Sequence, residues 1–115
     1  MAIASHECIV EMKYYSVDPY MRIQQAMRDT WEPPHPLNVV QGGGTVGVVI
    51  ASGSEKFAVG DWVVGYMGWQ KYGRCHADAL TKINPDVAPV SAALGVLGMP
   101  GRTAWFGLME AGRPR

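Results

Sequence analysis

The chain is expected to fold as a small, mainly β domain with short helices, and three observations point there. Fourteen glycines and eight prolines in 115 residues exceed the average combined share of about 12%, so turns are frequent and elements short. Between these turn residues lie short β-branched or alternating apolar runs, the pattern of strands. Helix-period apolar spacing is concentrated in the last third. The length fits one domain with its own core.

Residues 8–17 read as the first strand. Glu11 and Lys13 alternate with Val10, Met12 and Tyr14, which predicts one buried and one wet face. Asp18-Pro19 stops it. Asp is a favoured helix cap and Pro fits the first helical position, so residues 20–28 are expected to be a short helix. Residues 31–36 hold Pro33, Pro34 and Pro36 and read as loop. Residues 45–52 are β-branched and apolar and read as strand, closed by the turn Gly53-Ser54-Glu55. Gly60-Asp61 is a turn signal ahead of a strand over 62–67. Further strands are expected at 69–77 and 80–83, before Asn84-Pro85-Asp86 breaks the pattern. Residues 91–97 read as a short helix and 101–111 as a helix of about three turns, stopped at Gly112 with Pro114 beyond it. Trp105, Leu108 and Met109 share one face, while Ala104 and Phe106 sit on others. A helix apolar nearly all round wants burial on more than one side, and little chain follows to cover it.

Composition excludes several function classes. Charged residues are 17% of the chain, below the usual figure of about 25%, which argues against a highly charged disordered tail. Ten Lys and Arg balance ten Asp and Glu. There is no basic field to neutralise phosphates, so no nucleic-acid partner is expected. No apolar run nears the roughly 18 residues of a membrane span, so no membrane partner is expected. The opening Met1-Ala2-Ile3-Ala4-Ser5-His6-Glu7 lacks the basic and apolar regions of a signal peptide. Two cysteines, Cys8 and Cys75, exclude a disulfide scaffold and a four-thiolate zinc site. Together these predict a cytoplasmic protein with reduced thiols.

Gly42-Gly43-Gly44-Thr45-Val46-Gly47 matches G-x-G-x-x-G to the letter. A dinucleotide loop needs a helix next, whose N-terminus holds the pyrophosphate. Val48-Val49-Ile50-Ala51 reads instead as strand, so the run is expected to be a bend where backbone closely approaches another surface. His6 with Cys8, and Cys75 with His76, invite a metal reading. Neither pair has ligand spacing, and neighbours on a strand face opposite ways. No metal is expected, and Cys75 with His76 fails as a nucleophile–base pair for the same reason. Most aromatic residues are expected to be core. The candidates for function lie on loops or beside glycine: Tyr20 after a strand end, and Tyr66 and Trp69 around Gly65 and Gly68.

Several stretches resemble one family, the zinc-independent medium-chain dehydrogenases/reductases of the prostaglandin reductase and curcumin reductase group. They are Ser16-Val17-Asp18-Pro19-Tyr20-Met21-Arg22, the glycine run, Val59-Gly60-Asp61-Trp62-Val63-Val64-Gly65, Gly68-Trp69-Gln70, and residues 94–108 around Met99-Pro100-Gly101-Arg102-Thr103-Ala104. The resemblance runs in one order from about residue 8 to the end. It implies a GroES-like, partly open β-barrel over residues 1–115, truncated, with a C-terminal linker helix at the junction to a Rossmann domain outside this chain. It also implies that an N-terminal strand pair precedes the region of Cys8 in relatives. The zinc alcohol dehydrogenases share that fold. On this alignment Tyr15 and Tyr20 stand at two of their zinc-ligand places and Gly43 and Gly44 where a His-Glu pair would be, so no ligand remains.

The implied reaction is NADPH-dependent reduction of the C=C bond of α,β-unsaturated ketones or aldehydes. Hydride reaches the β-carbon and an enolate forms, whose charge needs donors placed beforehand. The resemblance implies Tyr20 as catalytic and substrate-facing and Met99 and Thr103 as contacts of the cofactor's nicotinamide end, and Tyr66 and Trp69 are expected as substrate-pocket walls. These 115 residues alone are expected to be inactive and to bind NADPH poorly. The alternative is a non-catalytic GroES-like module acting as an assembly or binding unit. In either case the apolar helix and an open sheet edge predict self-association.

Overall fold

The computed structural model describes residues 3–26, 28–31 and 33–114. Readings that touch residues 1, 2, 27, 32 and 115 lie outside them. Among the described residues five strands form one sheet: β1 (Glu7–Tyr15), β2 (Thr45–Ser52), β3 (Trp62–Gly65), β4 (Tyr72–His76) and β5 (Thr81–Ile83). Their order is β4-β1-β2-β3-β5 and every pairing is antiparallel. The sheet is open, with β4 and β5 at its edges. Among the described residues two α-helices accompany it, α1 (Pro19–Gln24) and α2 (Met99–Phe106), the latter running on as a π-helical stretch over Gly107–Gly112. Among the described residues no helix is long and apolar enough to cross a membrane. The mainly β, partly open architecture with short helices is the one expected.

Cys8, Val10 and Met12 from β1 join Val49 of β2 and Val63 of β3 in the core, closed by Phe57, Met67, Ala77 and Leu80 from the connecting turns. The alternation in β1 holds through Met12 and then fails, since Tyr14 is exposed. A register shift between Met12 and Tyr14 against β2 is the cause. The extra residue of such a bulge turns the following side chains away from the buried face.

Other boundaries moved for local reasons. The first helix stops at Gln24 rather than at 28, because the Gln24 carbonyl accepts the His35 N–H at 2.9 Å, where a continuing helix would use the fourth residue on. The strand expected over 69–77 begins only at Tyr72, after Gly68 (φ +77) turns the chain. The helix expected over 91–97 is a 3₁₀ segment, Val90–Leu94, ended at Gly95. The last helix starts at Met99, with Pro100 in its first turn. Its left-handed cap falls on Arg113 (φ 46), not on Gly112, which remains helical.

Candidate functional site

Where β2 begins, Thr45 pairs with Gly65 at the end of β3, and the buried Thr45 hydroxyl donates to the Gly65 carbonyl at 3.3 Å. This pairing sets Gly44 beside the chain leaving β3 towards Tyr66. On the other flank the Ser16 N–H donates to the Gly44 carbonyl at 2.9 Å, holding the exit of β1 against the same glycine. Between these segments and the start of α2 lies a cleft of about 190 Å³, with Tyr20, Tyr66, Leu94, Met99 and Arg102 among its walls.

Tyr20 is aimed by its neighbours. Asp18 takes the cap position, and its carbonyl accepts the Met21 N–H at 3.1 Å. Met21 is fully buried and its sulfur accepts the Asp18 N–H at 3.4 Å. With Met21 anchored in the interior, the adjacent Tyr20 is left at the cleft wall, its hydroxyl 3.1 Å from the hydroxyl of Tyr66. The Tyr66 ring lies over the glycine run. A Cβ on Gly42 would stand 2.8 Å from Tyr66 Cε1, and one on Gly43 2.6 Å from Met21 Cε. A Cβ at either glycine would push the Tyr66 ring or the Met21 methyl aside, so the run is the close-approach bend expected. A buried amide fixes it to α1: Gln41 donates to Gln24 at 2.9 Å and accepts from Gln25 at 3.1 Å.

The other candidates divide. Met99 lines the cleft from the first turn of α2. Thr103, one turn further on, is exposed and outside the lining residues. Trp69 lines a separate hollow with Tyr15, Val17, Gln70 and Lys71, and its indole N–H donates to the Ser16 carbonyl at 3.1 Å. It thus braces the back of the segment whose front lines the cleft. Asp18 and Arg102 supply the cleft's charged side chains, one of each sign. Neither was singled out from the sequence. Arg102 follows Met99 by three residues, and that helical spacing puts both on one flank.

The cysteines and histidines lie elsewhere. Cys8 and Cys75 face each other across β1 and β4, and both are free thiols. Burial first, and then the neighbouring Cys8, push the Cys75 thiol up to about 11. The rings of His6 and His76 lie tilted at 34° with centroids 4.7 Å apart. Among the described residues no three His, Cys, Asp or Glu side chains gather as metal ligands would.

Comparison with known proteins places this arrangement. Residues 1–83 match the family model described as the N-terminal domain of oxidoreductase. The chain is 40% identical over 109 residues to the NADPH-dependent curcumin reductase of Escherichia coli (strain K12), covering 95% of this chain and 32% of that protein. It is 36% identical over 107 residues to prostaglandin reductase 1 of Mus musculus, covering 90% and 30%. The crystal structure of CurA in complex with NADPH from Vibrio vulnificus superposes with a TM-score of 0.86 at 38% identity, over 97% of this chain and 33% of that one. The chain thus spans about a third of the length of the curated relatives it matches.

Proposed function

Because this chain belongs to the family of N-terminal domains of oxidoreductases, we propose that it is the substrate-facing, GroES-like part of an NADPH-dependent reductase of the C=C bond in α,β-unsaturated ketones and aldehydes. One observation carries the reading: the Tyr20 and Tyr66 hydroxyls meet 3.1 Å apart at the wall of the cleft. When Tyr20 donates to Tyr66, the Tyr66 hydroxyl can turn its own proton to a third oxygen. The substrate carbonyl is that oxygen. That donor is strengthened by the phenol behind it, and its bond tightens as enolate charge develops on the substrate. Val64, Leu94 and Met99 flank the pair with apolar surface, which limits the water that would compete for it.

The residues present suit the reacting end of a nicotinamide cofactor. Met99 and Pro100 form an apolar wall at the start of α2 beside the phenols, and Met99 would hold the nicotinamide end, with the exposed Thr103 one turn beyond it. NADPH supplies the hydride when bound. Its phosphates call for a helix N-terminus in a βαβ unit, whereas the strand pairs here are antiparallel. A Rossmann domain beyond these residues would meet that need, and the 115 residues alone would bind the cofactor weakly and turn over nothing. The reaction proceeds without zinc on this reading, because Tyr15, Tyr20, Gly43 and Gly44 offer neither thiolate nor imidazole.

Exposed apolar surface on the last helix supports a contact role there. Trp105 is 63% exposed, with Phe106 and Leu108 nearly as open. On the isolated chain this surface, or the edge of β4, would join a second copy. Sedimentation should show a concentration-dependent dimer that Leu108→Glu abolishes; a clean monomer at high concentration would refute the pairing.

In the reductase that carries this chain, Tyr20→Phe keeps the ring and removes the hydroxyl. The expected result is a loss of roughly 10- to 100-fold in kcat/KM with an unchanged melting temperature. Full activity with an unchanged melting temperature would refute the role, and intact kcat with a lowered melting temperature would make Tyr20 a packing residue.

A further inference from the structure

Successive side chains of an extended segment face opposite ways, and the segment leaving β1 uses both faces. Ser16 and Asp18 line the cleft. Tyr15 and Val17 line a second hollow of about 380 Å³ with Trp69, Gln70 and Lys71. The neighbouring glycines pack against both sides of the segment. A Cβ on Gly44 would meet Leu94 at 3.2 Å and Ser16 Cβ at 3.7 Å, on the cleft side, whereas one on Gly43 would meet the buried Met21 Cε at 2.6 Å, with the Trp69 indole nitrogen 3.4 Å away. The two segments are joined by the Ser16 N–H to Gly44 carbonyl bond. A wall one residue thick therefore separates two hollows.

The second hollow has fixed sides. The Trp69 indole N–H is held by the Ser16 carbonyl at 3.1 Å and the Tyr15 hydroxyl by the Gln70 carbonyl at 3.0 Å. Each ring is tethered by its polar end and keeps its body accessible, with Trp69 40% and Tyr15 41% exposed. At the margin stands Lys71, whose ammonium lies 5.3 Å from the Tyr72 ring centroid. Among the described residues it takes part in no salt bridge with a carboxylate. A lysine that meets no carboxylate among the described residues, in one lining with two aromatic rings each tethered by a hydrogen bond, is complementary to a flat ligand that is apolar along its body and negative at one end.

The geometry points to a second binding site here, outside the cleft, that takes a planar aromatic carboxylate with its ring against Trp69 and Tyr15 and its carboxylate on Lys71. The site stands whether or not the cleft reduces enones, since none of the cleft's lining residues is part of it. Tethered rings lose little freedom when a ligand stacks on them, which favours small aromatic ligands over a flexible peptide.

The test titrates 2-naphthoate into the 115-residue chain and follows backbone and indole N–H resonances by NMR. Saturable shifts should centre on the Trp69 indole N–H and on Tyr15, Val17 and Lys71. Lys71→Gln should weaken 2-naphthoate about three- to fivefold, the size of an exposed ion pair, and leave the neutral 2-naphthalenemethanol unchanged. Val17 is 77% exposed, so Val17→Glu cannot disturb the core. It should abolish 2-naphthoate binding by crowding and like charge. Shifts centred on Tyr66 and Met99, no saturable shift at all, or equal weakening of both ligands by Lys71→Gln would overturn the proposal. So would movement of the same resonances on simple concentration of the chain, which would give the hollow to a second copy.

Discussion

Val10, Val46, Val49 and Val63 are fully shielded within the sheet, while Trp105, Phe106, Leu108 and Met109 at the other end of the chain lie open to solvent. Both regions are rich in apolar residues. They differ in what surrounds them. Each central strand has a partner on both sides, and loops carrying Phe57, Met67 and Leu80 close over the core face. The last helix is tied back near its start, where the Gly101 and Arg102 N–H groups reach Gly95 and Gly98 at 3.1 and 3.0 Å. Past that first turn, a Cβ on Gly107 would meet no atom within 4 Å. Apolar content creates a demand for burial, and only a second layer meets it.

Three changes break or sharpen this contrast. The largest effect belongs to Gly47, which is paired on both sides, to Met12 of β1 and Val63 of β3. A Cβ there would fall on the backbone carbonyl oxygen of Glu11, and a backbone cannot swing aside as a side-chain end can. Gly47→Ala should cost about 3 kcal/mol, read as a lower urea midpoint with an unchanged slope. A neutral result would mean that β1 and β2 separate freely.

The middle effect concerns Cys75, packed against the same core. With its thiol raised to about 11, it should react with a disulfide reagent at pH 8 roughly 100-fold more slowly than an exposed thiol, and at the ordinary rate in urea. The sign for stability follows from linkage. A folded-state value above the unfolded one means that the native state holds its proton more tightly. The contribution is intact below the ordinary thiol value of 9.0 and is lost as pH rises through about 11. Urea midpoints should fall over that window, and less steeply in Cys75→Ala.

The smallest effect is on the helix. Gly107 already has helical angles (φ −60, ψ −43) in open space, so Gly107→Ala should favour the local helix by up to about 1 kcal/mol. Circular dichroism should show slightly more helix, with the urea midpoint of the sheet unmoved. A coupled shift of that midpoint would show that the two regions are one cooperative unit.

Legibility in the sequence follows the same divide between local and distant causes. β2 occupies the residues expected, since a β-branched run closed by Gly53-Ser54 carries its own boundaries. Tyr14 escaped because a bulge depends on the partner strand, which alternation within β1 does not encode. The left-handed turn at Gly68 truncated the next strand for a similar reason. Tyr20 and Tyr66 could each be picked out as a loop or glycine-flanked aromatic residue. Their meeting across 46 residues of sequence could not, because it arises from the pairing of Thr45 with Gly65 and from Met21 filling the interior. Asp18 and Arg102 sat inside motifs already singled out and were passed over, although the spacing from Met99 to Arg102 was available.

The strand order has a consequence in time. β1 is made first and lies inside the sheet, yet its outer neighbour β4 brings Cys75 to it from 67 residues away. A ribosome adding about 5–20 residues per second needs several seconds to supply that neighbour. Throughout, one edge of the nascent β1 has no native strand to pair with. Loop closure over such a span is also slow compared with helix formation. The interval is when a chaperone has most to hold, and when two growing chains are most exposed to pairing with each other.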